Sequence, residues 1–111
     1  MTVMFENYRR YPRYSVSARL VVRRLDSLSP GGLDTQVTTI SQGGMGFYTS
    51  VLIEKSTPVS VELLFHASDS AAREDVFEGK VASICAQGKD YYIGIAFDED
   101  ISDDLFAEII G

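Results

Sequence analysis

Apolar and polar side chains alternate in a series of short runs along this chain, and that period of two constrains the fold more than any other feature. From Ser15 to Arg24 the apolar positions are Val16, Ala18, Leu20 and Val22, with mostly polar residues between them. This is the signature of a strand with one buried and one solvated face. Asp26 to Gly32, with Ser29-Pro30-Gly31-Gly32 inside it, is a turn cluster, and Leu33 to Ile40 follows as a second, Thr-rich strand. Gly43-Gly44 interrupts the pattern before Met45 to Thr49 resumes it as a third strand, and Val59, Val61, Leu63 and Phe65 mark a fourth after Pro58. His66 to Glu74 is polar and small, a loop by composition. Phe77, Val81 and Cys85 are assigned to one face of a fifth strand, and Gln87-Gly88-Lys89-Asp90 is a hairpin connection into a sixth, Tyr91 to Phe97. Six short antiparallel strands make a sandwich or a barrel, and closure into a barrel removes the exposed edges.

Near the C-terminus the period changes. Ile101, Leu105 and Ile109, with Phe106 and Ile110 beside them, follow helical spacing. Ser102 is a suitable N-cap, and Asp103 and Asp104 fall in the first turn, where the helix dipole favours negative charge. Ile101 and Phe106 occupy the two positions of a hydrophobic staple. The expected fold is therefore all-β, a six-stranded antiparallel barrel with a short C-terminal α-helix. At 111 residues the chain is one domain, long enough to bury roughly two-thirds of its unfolded surface. Within it, residues 1–13 read as an arm and residues 14–111 as the barrel with its helix.

Charge is distributed unevenly. Residues 1–24 carry six arginines (Arg9, Arg10, Arg13, Arg19, Arg23, Arg24) against Glu6, a balance of +5, whereas the remaining 87 residues carry four basic and fifteen acidic side chains, a balance of −11. A basic segment on an acidic body suits a small anion better than a long polyanion, which the body would repel. Cys85 and His66 are the only residues of their types, so no internal disulfide is possible and no Cys/His zinc set can be assembled. The first residues lack the basic and apolar regions of a signal peptide, and no apolar run approaches the roughly 20 residues of a bilayer span. A cytoplasmic protein without membrane insertion is expected.

Two segments could carry chemistry. Tyr8-Arg9-Arg10-Tyr11-Pro12-Arg13-Tyr14 places three guanidiniums and three phenols within seven residues. A guanidinium offers a planar fork of donors to phosphate oxygens and a flat face to a nucleobase. Pro12 biases Tyr11 away from helix, so the segment reads as an extended arm. Composition alone equally allows solvated arginines and tyrosines that cover one end of a barrel. The second segment is Thr39-Ile40-Ser41-Gln42-Gly43-Gly44-Met45-Gly46, where glycines permit close approach and hydroxyls can bond to a base or a phosphate. Taken alone it is also an ordinary glycine turn between two strands.

In this order the two segments resemble the PilZ family, whose pattern is R-x-x-x-R near the start, [D/N]-x-S-x-x-G some 20 to 30 residues later, and a late Gly-apolar-x-Phe element. Arg9 and Arg13 match the first motif, with Arg10 as an additional basic residue; Ser41 and Gly44 match the second, and Gly94-Ile95-Ala96-Phe97 the third. The resemblance spans about residues 8 to 111. Thr39 stands where the family usually has Asp or Asn, a departure that bears on the ligand rather than on the fold. The resemblance implies a bacterial six-stranded barrel that binds the second messenger cyclic di-GMP on its outer surface. It also implies that Arg9 and Arg13 hold phosphates and guanine edges with Arg10 beside them in the ligand site, while Ser41 and the backbone around Gly43 and Gly44 cradle the other side and Thr39 lies at the donor edge of guanine.

Three functions follow as expectations. The first is a cyclic di-GMP receptor that changes its surface on binding and thereby regulates an unidentified protein effector. The second is a degenerate adaptor that binds a protein without nucleotide, and the third, from a different class, is a barrel for single-stranded nucleic acid, against which the acidic body argues. No enzyme is expected, since no nucleophile, acid–base pair or metal set can be assembled; no cofactor is expected either. Asp98-Glu99-Asp100 with Asp103-Asp104 lacks EF-hand spacing and reads as a solvated acidic approach to the helix. His66 reads as a surface residue, and Cys85 as a small core residue rather than a reactive thiol.

Overall fold

A computed structural model of the chain describes residues 11–26, 32–66 and 71–111. Six strands, β1 (Tyr14–Arg24), β2 (Leu33–Ser41), β3 (Gly44–Thr49), β4 (Pro58–His66), β5 (Ala72–Gln87) and β6 (Asp90–Phe97), precede one helix, α1 (Asp103–Ile110). All neighbours are antiparallel, and the strands close as β1-β2-β3-β6-β5-β4, with β1 against β4 completing the ring. The barrel and helix expected from the two periodicities are thus both present.

The inward positions are those that the alternation singles out. Leu20, Ile40, Phe47, Val59, Val61, Leu63, Val81 and Ile93 are fully buried, and each such side chain contributes on the order of 1.5–3 kcal/mol by leaving water. The Gly88-Lys89 connection between β5 and β6 has Gly88 at φ 62° with Gln87 opposite Asp90, the left-handed first position of a two-residue hairpin loop. The Ser102 hydroxyl accepts the Leu105 amide at 3.3 Å and so caps α1. Ile101, Phe106 and Ile109 are buried, and the Tyr14 ring meets Phe106 edge to face at 5.6 Å.

Two details differ from the sequence reading. The polar stretch up to Glu74 is not all loop: Ala72–Val76 pairs residue for residue with Glu62–His66, so β4 and β5 form a longer hairpin than composition suggests. Cys85 is exposed rather than a core residue. A register shift between Val81 and Ser83 inserts one residue into β5, and an inserted residue reverses which positions face inward. Ile84 therefore lies opposite the buried Ile93, while Cys85 lies opposite Tyr92 on the outer face. His66 is exposed, as expected.

Candidate functional site

A second bulge positions the glycine motif. In β2, Val37 pairs with Phe47 but Thr39 with Gly46, leaving Thr38 as the extra residue. Strict alternation from the buried Val37 would aim Thr39 and Ser41 into the core; the bulge turns them outward and gives the inward place to Ile40. The outer surface then runs across three strands with almost no side chains. Ser41 lies opposite Gly44 and Gly44 opposite Ala96, while in the next row Thr39 lies opposite Gly46 and Gly46 opposite Gly94. At Gly44 the approach is close: a Cβ would stand 2.2 Å from the Ile95 carbonyl oxygen.

The first row is the floor of a groove of about 310 Å³, lined by Tyr11, Arg13, Ser41, Gly43, Gly44 and Ala96 among others. Ser41 Oγ accepts the Gly43 amide at 3.3 Å, which shapes the turn. The Tyr11 ring lies 3.5 Å from where a Gly43 Cβ would be, and its hydroxyl donates to Asp100 Oδ2 at 2.6 Å. The second row is roofed over. The Tyr92 ring crosses Gly46, where a Cβ would fall 1.9 Å from the phenolic oxygen, and that oxygen shares a 2.9 Å hydrogen bond with Thr39 Oγ1. Tyr48 packs edge-on against Tyr92 at 4.9 Å.

Of the residues picked out by sequence, Arg13, Ser41, Gly43 and Gly44 line one groove. Thr39 is on the same outer face but outside that lining, its hydroxyl engaged by Tyr92. Arg9 and Arg10 lie outside the described residues. The sequence pattern marks Tyr92 only as a strand residue and Asp100 only as part of a solvated acidic approach to the helix, and it gives the Gln42 side chain no role; Asp100 instead accepts from Tyr11. Their hydrogen-bonding partners are more than 50 positions away in the chain, and no local pattern announces such pairs.

The other arginines of the basic segment have different employment. Arg19 donates to both oxygens of Asp34 at 2.9 and 3.0 Å, Arg23 to Glu62 at 3.2 Å, and Arg24 to Asp26 at 3.2 Å. The hydrogen bond from Arg19 holds the Asp34 carboxyl below its ordinary range, and Arg24 does the same for Asp26. Arg13 is exposed and makes no ion pair among the described residues. A larger concavity of about 870 Å³, with Val16, Ala18, Phe65 and Ile109 in its lining, lies between the start of β1 and the end of β4 and contains none of the motif residues; size alone does not make it the functional site. Among the described residues no set of three His, Cys, Asp or Glu side chains could hold a metal ion, and no helix is long and apolar enough to cross a membrane.

A closed barrel with a bulge-presented serine–glycine turn and an arginine beside it is the frame of one class of small β domains. The PilZ domain family profile matches residues 7–111, and the chain belongs to that family. Among solved structures it is similar to the Bacillus subtilis inhibitor of motility (MotI/DgrA), with a TM-score of 0.72 and 14% identity over 91% of this chain; it spans 47% of that protein, about half its length. It is also similar to the PilZ domain of YcgR from Escherichia coli, solved with c-di-GMP, with a TM-score of 0.62 and 19% identity over 91% of this chain and 85% of that one. No curated protein matches the sequence significantly.

Proposed function

We propose that the chain is a cyclic di-GMP receptor whose occupied surface is read by a protein effector. The observation that carries this reading is the convergence of Arg13, Ser41, Gly43 and Gly44 on one outer groove. Its support is chemical. Arg13 is not committed to a carboxylate, a guanidinium binds phosphate through charge-assisted bonds about twice as strong as neutral ones, and a side-chain-free floor lets a flat base approach the backbone. Arg9 and Arg10 join Arg13 in the arm, residues 1–13, and a doubly anionic ligand relieves the mutual repulsion of the three. Binding then fixes this arm, whose Tyr11 already rests on Gly43 and Asp100, against the barrel, residues 14–111, and the rearranged surface is the signal. The domain acts by binding and not by catalysis, in the cytoplasm and without a cofactor.

One observation favours a second reading, an adaptor that recognises a protein without nucleotide: the hydroxyl of Thr39, at the altered motif position, is already bonded to Tyr92. Isothermal titration of the whole chain with cyclic di-GMP separates the two. Saturable heat that falls sharply in Arg13→Ala supports the receptor; absence of heat in the parent chain removes it and leaves the adaptor.

A further inference from the structure

Gln42 is one of the unspecified positions of the second motif, yet its side chain makes the most telling contacts near the groove. Nε2 donates to the Ile101 carbonyl at 2.9 Å and to Asp103 Oδ1 at 2.8 Å, while its backbone oxygen accepts the Ile101 amide at 2.7 Å. One residue on, the Gly43 carbonyl accepts the Phe97 amide at 2.9 Å. Both partners of Nε2 are acceptors, so a donor of this length is required there. Asp103 is the first residue of α1, Ser102 caps it, and Asp100 just before them holds Tyr11. Arm, glycine turn and helix start therefore meet within Asp100–Asp103.

An isolated helix of eight residues does not persist in water. The order of α1 depends on its buried face, Phe106 and Ile109, and on how firmly its first turn is anchored. We infer that Gln42 is a positioning residue that couples the groove to α1, so that Ser41–Gly44 and the helix share one conformational equilibrium. Tightening the turn stabilises the helix, and by linkage loosening the helix slackens the turn. The inference goes beyond the receptor reading: it names the element that responds to the groove, and it does not require the ligand.

Amide hydrogen exchange on the whole, ligand-free chain tests it. Ser102→Ala removes the cap while leaving Gln42 and every residue of the turn unchanged, and should speed exchange at Leu105 and Phe106 by about fivefold, the factor that matches a typical cap loss. If the coupling exists, Gly43 and Phe97 speed up with them. In a Gln42→Met background, which keeps the length and removes the donor, the response at Gly43 and Phe97 should fall below about twofold while that of the helix persists. Unchanged exchange at Gly43 and Phe97 in Ser102→Ala, or an equal response with Gln42→Met, overturns the inference. Asp104→Lys, an exposed change that opposes the helix dipole, must reproduce the pattern and serves where Ser102→Ala fails to fold. Failure of cyclic di-GMP to bind would end the receptor reading and leave this coupling standing.

Discussion

Arg13 and Arg19 lie six positions apart in the sequence and differ completely in what surrounds them. Arg19, on the outer face of β1, is forked onto Asp34 of β2, and Arg23 and Arg24 are likewise matched to carboxylates. Arg13 lies just before β1, beside a turn of glycines, without a matching acid among the described residues. Strand pairing supplies the acids of Arg19 and Arg23, Asp34 from β2 and Glu62 from β4, Arg24 finds Asp26 two residues on, and Arg13, ahead of the strand, stands beside Ser41 and the glycines instead. A charge total cannot distinguish the two kinds of arginine.

The most severe way to break the groove side of this comparison is through its floor. Gly44→Ala would bring a Cβ to 2.2 Å from the Ile95 carbonyl, forcing β3 and β6 apart at a cost of about 1–3 kcal/mol. Denaturant unfolding should show that loss. Gly43→Ala, whose nearest neighbour is the Tyr11 ring at 3.5 Å, should stay within about 0.5 kcal/mol of the parent.

Arg13→Ala should weaken cyclic di-GMP binding by roughly ten- to a hundredfold at unchanged stability, whereas Arg19→Ala should leave affinity as it was. Titration of both variants sharpens the contrast directly; equal losses would erase it.

Thr39→Asp should raise affinity by about tenfold, because a carboxylate accepts from the donor edge of guanine where a hydroxyl does so weakly. Tyr92, which now bonds Thr39, competes for that carboxylate, so adding Tyr92→Phe should enlarge the gain. Unchanged or weaker binding in Thr39→Asp would reject the placement of position 39 at the guanine edge.

The smallest effect belongs to the paired arginines. The Asp34 carboxyl is held below its ordinary range by the Arg19 hydrogen bond, so the pair stabilises the fold above the unfolded carboxylate pKa of about 4 and ceases to do so as pH falls through the lower folded value. Thermal melts of the parent and Asp34→Asn should differ slightly at neutral pH and converge in acid. A gap that widened in acid would contradict the assignment.

The strands and the helix were legible because burial imposes its period on the residues: Val59, Val61, Leu63 and Phe65 need no structure to be placed inward. What escaped were the points where the period breaks. The insertion near Ala82 turned Cys85 outward, and nothing in its neighbourhood says so, since a bulge is fixed by the opposite strand. At Thr38 the same device carried Thr39 and Ser41 to the surface, where the motif had suggested they would be for reasons of ligand rather than of register. Tyr92, Asp100 and Gln42 were invisible because each acts through a residue remote in sequence. The roof that Tyr92 forms over Gly46 could be suspected only from two facing glycines, Gly46 and Gly94, once their register was known.

Closure of the barrel also sets a folding speed. Adjacent hairpins such as β5–β6 can form on their own, but the ring is complete only when Arg19 finds Leu64 and Gly44 finds Ala96. Both events close long loops before any compensating contact forms, and topologies dominated by such pairings fold in milliseconds to seconds rather than microseconds. The groove, built on the β3–β6 pairing, thus rests on one of the two long-range pairings of the ring and not on a local hairpin.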